Sequence, residues 1–145
     1  MSFMWADTLH SAERALLLRL LAWGALSGLA GTAILAWLRF RSRSSALLEH
    51  FAIQMAGWGG LELAFVALSW RSLAPRDLSA ATRLDRLLWL NAGLDIGYVL
   101  VGVSLAIVGW RLGRRLGLVG AGIGVVVQGA ALLLLDLLLA SQISR

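Results

Sequence analysis

Acidic and amide side chains stand inside apolar stretches of this sequence, where a charge is costly. The stretch GGLELAFVALSW carries Glu62, LNAGLDIGYVLVG carries Asp95 and Tyr98, and Gln128 stands in a third apolar stretch. An ionisable side chain within a membrane costs about 2.5–3.5 kcal/mol on insertion scales. We therefore expect these side chains to face the interior of a helix bundle, where buried carboxyls often mark a proton pathway or a ligand site.

The composition identifies lipid as the natural solvent of the chain. Hydrophobic residues make up 59% of its 145 positions and charged residues only 14%, well below the roughly 25% of a soluble domain. The net charge is +5 and the 13 basic residues are all arginine. They stand at the ends of apolar stretches, which favours anionic lipid over nucleic acid as their partner. Without cysteine, disulfides and thiolate metal sites are excluded.

Four apolar stretches have the roughly 20 residues that a membrane-spanning helix needs. The predicted spans are 15–38, 51–70, 87–110 and 118–140. Because backbone groups cannot stay unpaired in lipid, each span must be helical. The predicted fold is an all-α, antiparallel up-down four-helix transmembrane bundle with short loops. We divide the chain into an interfacial N-terminal segment, residues 1–14, and the transmembrane domain, residues 15–145.

The loops divide between two membrane faces. Loops 39–50 and 111–117 share one face, side A, and hold six arginines. The termini and loop 71–86 share the other face, side B, and also hold six. The side A loops are shorter and denser in arginine, so the positive-inside rule favours the cytoplasm for side A. Pro75 predicts that the third helix begins near Arg76.

Several polar residues come out at the same depth when 1.5 Å is counted for each residue from the span ends. Glu62 lies roughly 17 Å from side A and Asp95 roughly 12 Å from side B, which is nearly one level in a core of about 30 Å. Tyr98 and Gln128 also fall near the middle. The predicted ligand or proton site is therefore Glu62, Asp95, Tyr98 and Gln128. Two carboxyls at one depth do not readily ionise together, so we expect one to hold a proton.

Other polar residues accompany this layer. Gln54, Trp58 and Asn91 follow the same helical faces as the site residues and are predicted to support them. Arg19 and Asp136 both come out near side B, where they are predicted to form a structural ion pair. Rows of small residues at helical spacing predict close helix packing.

Metal, cofactor and catalytic chemistry find little support in the sequence. The two histidines, His10 and His50, are predicted on opposite membrane sides and cannot ligate one haem within a single chain. No Glu-x-x-His spacing suggests a metal site in the bundle, and no Ser-His-Asp arrangement is evident. We therefore predict no metal, no cofactor and no catalytic residue.

Four segments carry a resemblance to a known family. ERALLLRLLAWGALSG, HFAIQMAGWGGLELAFVAL, LNAGLDIGYVLVG and GAGIGVVVQGAALLLLDL resemble, in order, the signature segments of an uncharacterised family of small bacterial four-helix integral membrane proteins. The resemblance covers about Glu13 to Leu139. It implies that these residues match polar positions of the family: His50, Gln54, Trp58, Asn91, Asp95, Tyr98, Gln128 and Asp136. An asparagine often stands in the family where this sequence has Glu62, so the resemblance implies no role for Glu62.

Three functions remain open at this stage. The first is a non-enzymatic protein of the bacterial inner membrane whose polar layer binds protons or a small ligand. The second is an accessory or assembly subunit that packs against a larger membrane complex through its glycine rows. The third, a membrane enzyme on a lipidic substrate, would use Asp95 and Glu62 as acid and base. The predicted partners are membrane lipids and either further copies of the chain or a larger complex, and nucleic acid is not predicted.

Overall fold

The chain forms four antiparallel α-helices. A computed structural model describes the backbone of residues 2–73 and 78–143 and the side chains of residues 7–73 and 82–142. The helices are α1 (Ser2–Phe40), α2 (Ala46–Arg71), α3 (Leu78–Arg111) and α4 (Leu116–Ile143). Each contains a stretch long and apolar enough to cross a membrane: Asp7–Phe40, Ala46–Arg71, Thr82–Arg111 and Leu116–Gln142. The predicted four-helix transmembrane bundle is confirmed, and no strand occurs in the described ranges.

The helices extend beyond the predicted spans, most of all at the start of α1. The described part of α1 runs without a break through the boundary predicted between residues 14 and 15. Leu9 and Ala12 are buried, and Ala12 packs in a cluster with Leu88 of α3 and Leu139 of α4. These apolar contacts join the N-terminal segment to the bundle. The predicted helix start near Pro75 lies outside the described residues.

Hydrogen bonds cap both helix ends at the short α1–α2 turn. Ser42 adopts a left-handed conformation with φ of 47°, and the Arg43 amide donates to the Leu38 carbonyl at 3.1 Å. This is the pattern of a Schellman C-cap. Two residues later, the Ser45 side chain accepts a hydrogen bond from the Leu48 amide at 3.4 Å and caps α2.

Helix α4 is the centre of the bundle. It approaches α1, α2 and α3 closely, while α1 packs against α2. Within the described ranges, α3 has no close backbone approach to α1 or α2. Asp136 is the one charged residue of α4, and this apolar character suits a helix that has neighbours on several sides.

Glycines allow the backbones to approach at two of these interfaces. A methyl group at Gly59 of α2 would lie 2.5 Å from the Gly28 amide nitrogen of α1. A methyl group at Gly102 of α3 would lie 2.7 Å from the Gly122 carbonyl oxygen of α4. Neither distance leaves room for a side chain, so the packing at both interfaces depends on glycine, as in other membrane bundles.

Tryptophans mark both ends of the bundle. The Arg14 guanidinium lies over the Trp70 ring at 5.9 Å on side B, and the Arg114 guanidinium lies over the Trp110 ring at 5.0 Å on side A. Indoles at the membrane interface and cation–π pairs with arginine are both favourable there.

Candidate functional site: an interior polar layer

Gln128 lies where three helices meet. It is 1% exposed and stands on the central helix α4. Its side-chain oxygen accepts a hydrogen bond from Trp23 Nε1 of α1 at 2.7 Å. Its side-chain nitrogen lies 3.7 Å from Met55 Sδ of α2, a weak acceptor. The amide therefore links α4 to both α1 and α2.

Glu62 of α2 is buried against α1. It is 5% exposed, and a methyl group at Gly24 would lie 3.1 Å from its Cβ and 3.3 Å from its Oε2. Ser27 is the neighbouring hydroxyl, but it donates to the Gly24 carbonyl at 3.3 Å. Both carboxyl oxygens of Glu62 are buried and have no hydrogen-bond partner among the described residues. The absence of a side chain at Gly24 provides the space that the carboxyl occupies.

Asp95 is buried on α3 at its interface with α4. It is 5% exposed, and its backbone carbonyl oxygen would lie 3.1 Å from a methyl group at Gly129. Its Oδ2 is buried and has no hydrogen-bond partner in the described part of the chain. The close approach at Gly129 thus brings the carboxyl into the interior beside the Gln128 turn of α4.

One ring contact gives a common reference level from which the depths of the two carboxyls can be counted. The rings of Trp58 on α2 and Tyr98 on α3 meet edge to face, with centroids 5.3 Å apart. From that level, Glu62 lies four residues toward side B, about 6 Å, and Asp95 lies three residues toward side B, about 4.5 Å. Their helix positions therefore differ by only about 1.5 Å along the membrane normal.

The carboxyls of Glu62 and Asp95 nevertheless do not contact one another. Neither Glu62 oxygen has a hydrogen-bond partner, and α2 and α3 make no close backbone approach in the described ranges. The predicted site groups Glu62 with Asp95, and the structure places them against different neighbouring helices. The reason is the helix arrangement: Glu62 turns toward α1 and Asp95 lies on the α4 side of its helix.

Two predicted members of the layer lie at its edge or outside it. Tyr98 is 38% exposed and reaches the bundle through its contact with Trp58. Asn91 faces outward, contrary to the prediction. The buried positions of α3 form one narrow stripe: Leu88, Ala92, Asp95, Gly102 and Gly109. Asn91 is the residue before Ala92, so its side chain is turned about 100° around the helix, away from this stripe.

Gln54 and Trp58 form a pair within α2. Trp58 Nε1 donates to Gln54 Oε1 at 3.2 Å, one helical turn away. Gln54 also packs against α4, because a methyl group at Gly124 would lie 2.6 Å from its Cβ. Two of the three predicted support residues therefore lie beside the polar layer, on its side A.

The predicted ion pair between Arg19 and Asp136 is not formed. Among the described residues neither makes a salt bridge, and Asp136 lies within electrostatic range of Asp95, a group of like charge. The shared cluster of Ala12 and Leu139 gives the reason. Arg19 lies seven residues beyond Ala12 and Asp136 three residues from Leu139, an offset of about 6 Å in depth. The predicted depth of Arg19 is counted from residue 15, whereas α1 begins at Ser2. The count therefore places Arg19 too close to side B.

Three residues that contact the polar layer are not assigned to it from the sequence: Trp23, Met55 and Ser27. Trp23 has the clearest signal, because it stands inside a span rather than at its end and a buried indole needs an acceptor. Ser27 stands in the small-residue row of α1. Met55 carries no signal that separates it from an ordinary core residue.

Metal-ligating residues do not cluster in the described part of the chain. No group of three or more His, Cys, Asp or Glu side chains there is placed to hold a metal ion. The interior layer and its immediate neighbours are instead built from separate carboxyls and two indole–amide pairs, Trp23 with Gln128 and Trp58 with Gln54.

The fold and this layer define the class of protein: a small multi-pass membrane protein with polar groups inside a four-helix bundle. The family model that matches the chain is DUF6992, described as a family of unknown function, and it covers residues 19–137. The chain belongs to this family. Comparison with curated proteins and with solved structures found no match.

Proposed function

We propose that this chain is a non-enzymatic integral protein of the bacterial inner membrane whose interior carboxyls take up protons. One observation carries the proposal: both oxygens of Glu62 and Oδ2 of Asp95 are buried without a hydrogen-bond partner in the described structure. An ionised carboxylate is costly in such surroundings unless something pairs with it. A proton satisfies this need, and so does a small cationic or hydrogen-bonding ligand.

The charge balance of the interior supports uptake rather than a closed ion pair. Glu62, Asp95 and Asp136 are all acidic, and none forms a salt bridge with an arginine among the described residues. Asp136 also lies within electrostatic range of Asp95, a group of like charge. A purely structural network would be expected to satisfy its buried polar groups internally.

The positions of the three carboxyls favour access from side B. Asp136 is half-buried and lies about 6 Å nearer side B than Asp95, counted from the cluster that contains Leu88 and Leu139. On side A, the Trp58–Tyr98 contact bridges the gap between α2 and α3. We therefore place the proton entrance at Asp136 and a barrier at the aromatic pair.

Infrared difference spectroscopy of the protein in lipid, at acid against alkaline pH, tests this proposal. We expect C=O stretching bands of buried protonated carboxyls, with one band lost in Glu62→Gln and another in Asp95→Asn. Glu49→Gln is the matched control, because Glu49 is exposed and its loss should leave both bands in place. Spectra in which neither interior variant removes a band would contradict the proposal.

Proton flux into vesicles that contain the protein measures whether uptake leads to transfer across the membrane. Asp95→Asn keeps the shape of the side chain and removes its charge. Loss of flux in this variant, with unchanged helicity and assembly, supports a pathway. A flux that Asp95→Asn leaves unchanged would exclude Asp95 from it.

The outward face of α3 favours a second candidate, an assembly subunit. Methyl groups at Gly93 and Gly97 would meet nothing within 4 Å, and Asn91 faces outward on the same helix. Small residues four apart favour packing against another membrane helix. The partner would be a further copy of this chain or a larger membrane complex, and co-purification from the membrane tests for either one. The interpretation as a lipid enzyme stays a prediction.

A further inference from the structure

A groove lies between the end of α1 and the start of α2 on side A. Its cavity has a volume of about 470 Å³. The lining residues that matter here are Thr32, Leu35, Arg39, Arg43, Glu49 and Ile53. We propose that this side A groove binds an anionic phospholipid, with the lipid phosphate at the arginines and an acyl chain along the apolar residues.

The groove has a polar end and an apolar end, arranged as in a lipid molecule. Thr32 and Arg39 both line it and are seven residues apart on α1, so it runs for about 10 Å along the helix. Leu35 and Ile53 form the wall nearer the membrane centre. The Thr32 hydroxyl donates to the Gly28 carbonyl at 2.8 Å, which leaves this end without a free donor.

The charge at the polar end matches a phosphodiester. Arg39 and Arg43 are exposed and form no salt bridge among the described residues, while Glu49 contributes one negative charge to the lining. The three side chains together carry a charge of +1, which one phosphate of charge −1 neutralises. Arginine presents several donors in a planar array that suits phosphate oxygens.

The surroundings favour a lipid over a soluble phosphate compound. Trp37 and Phe40 face outward at the same end of α1, where aromatic side chains lie at the level of lipid headgroups. A groove beside them is reached from the bilayer leaflet itself.

Native mass spectrometry of the full chain in a neutral detergent, titrated with phosphatidylglycerol, tests the proposal. The double variant Arg39→Gln/Arg43→Gln should weaken binding about 30-fold, or about fivefold for each arginine. The matched control is Arg111→Gln/Arg115→Gln, which removes two exposed arginines from the other side A loop and should change binding by no more than about twofold. Circular dichroism verifies that each variant keeps its helices.

Two further measurements identify the headgroup and the source of the phosphate. Glu49→Gln removes the negative charge from the groove and should tighten phosphatidylglycerol binding. Phosphatidylcholine should bind more weakly, and inorganic phosphate should not displace the lipid. The proposal is overturned if the Arg39/Arg43 variant binds as the wild type does, if both double variants lose the same affinity, or if inorganic phosphate competes on equal terms with the lipid.

Discussion

At the scale of single residues, Gln128 holds together more of the interior than any sequence pattern suggests. Its amide contacts Trp23 on one side and Met55 on the other, and it is almost fully buried. In a low-dielectric interior, each group that loses its hydrogen-bond partner becomes a cost. Both oxygens of Glu62 and Oδ2 of Asp95 are buried without a hydrogen-bond partner among the described residues, and for this reason we propose the carboxyls rather than the amide as the proton sites.

Replacing Gln128 should destabilise the bundle, because the bond from Trp23 crosses between helices. We expect Gln128→Leu to lower the free energy of unfolding by about 1 kcal/mol, a typical value for an interhelical hydrogen bond in a membrane. Gln54→Leu is the matched control, since Gln54 accepts from Trp58 within one helix. Unfolding of both variants in a denaturing detergent, followed by circular dichroism, measures the difference. Equal losses would show that the Trp23–Gln128 bond has no special role.

At the scale of helices, the packing depends on where glycine leaves room for a neighbouring backbone. Gly59 meets the α1 backbone at Gly28, whereas Gly57, two residues earlier on α2, meets nothing within 4 Å. The two glycines lie on opposite sides of one helix. Sequence spacing alone does not distinguish them, since neither has a small residue four positions away on α2, and the neighbouring helix decides which one is needed.

The same contrast makes a sharp test of helix packing. Gly59→Ala places a methyl group 2.5 Å from the Gly28 nitrogen and should force α1 and α2 apart, at a cost of about 1–3 kcal/mol. Gly57→Ala should stay within about 0.5 kcal/mol of the wild type, as exposed substitutions do. Thermal unfolding of both variants in the same detergent measures the effect. A stable Gly59→Ala protein would mean that the α1–α2 interface tolerates a wider spacing.

At the scale of the whole molecule, successive antiparallel helices place the α1–α2 and α3–α4 turns on one membrane face. The central position of α4 means that α3 joins the rest of the bundle mainly through α4. The lipid site proposed on side A and the proton entrance proposed on side B therefore belong to opposite faces of the membrane.

The chain contains no cysteine, so single cysteines report its topology directly. Ser44→Cys and Leu112→Cys, in the two side A turns, should react together with a membrane-impermeant maleimide. Ser72→Cys and Ser141→Cys should react only from the opposite face. If side A is cytoplasmic, as arginine density predicts, intact cells should label the second pair and inverted vesicles the first. Labelling of Ser44→Cys and Ser141→Cys from one face would contradict a four-span topology.

The sequence determined the parts of this protein that follow from one helix at a time. Apolar length gave four helices, and helical rise put Glu62 and Asp95 at one depth, in agreement with the Trp58–Tyr98 contact. These properties need only the 1.5 Å rise and the cost of exposing backbone or charge to lipid. They do not depend on which helix packs against which.

Only the tertiary structure decided which side chains meet. It turned Glu62 toward Gly24 of α1, separated Arg19 from Asp136, and brought Trp23 to Gln128 across 105 positions of sequence. A polar residue shows from sequence that it must face inward, but its partner depends on helix order and on rotation about each axis. Helix order and rotation depend on backbone contacts at glycines between helices. Periodicity along a single helix carries no information about these contacts.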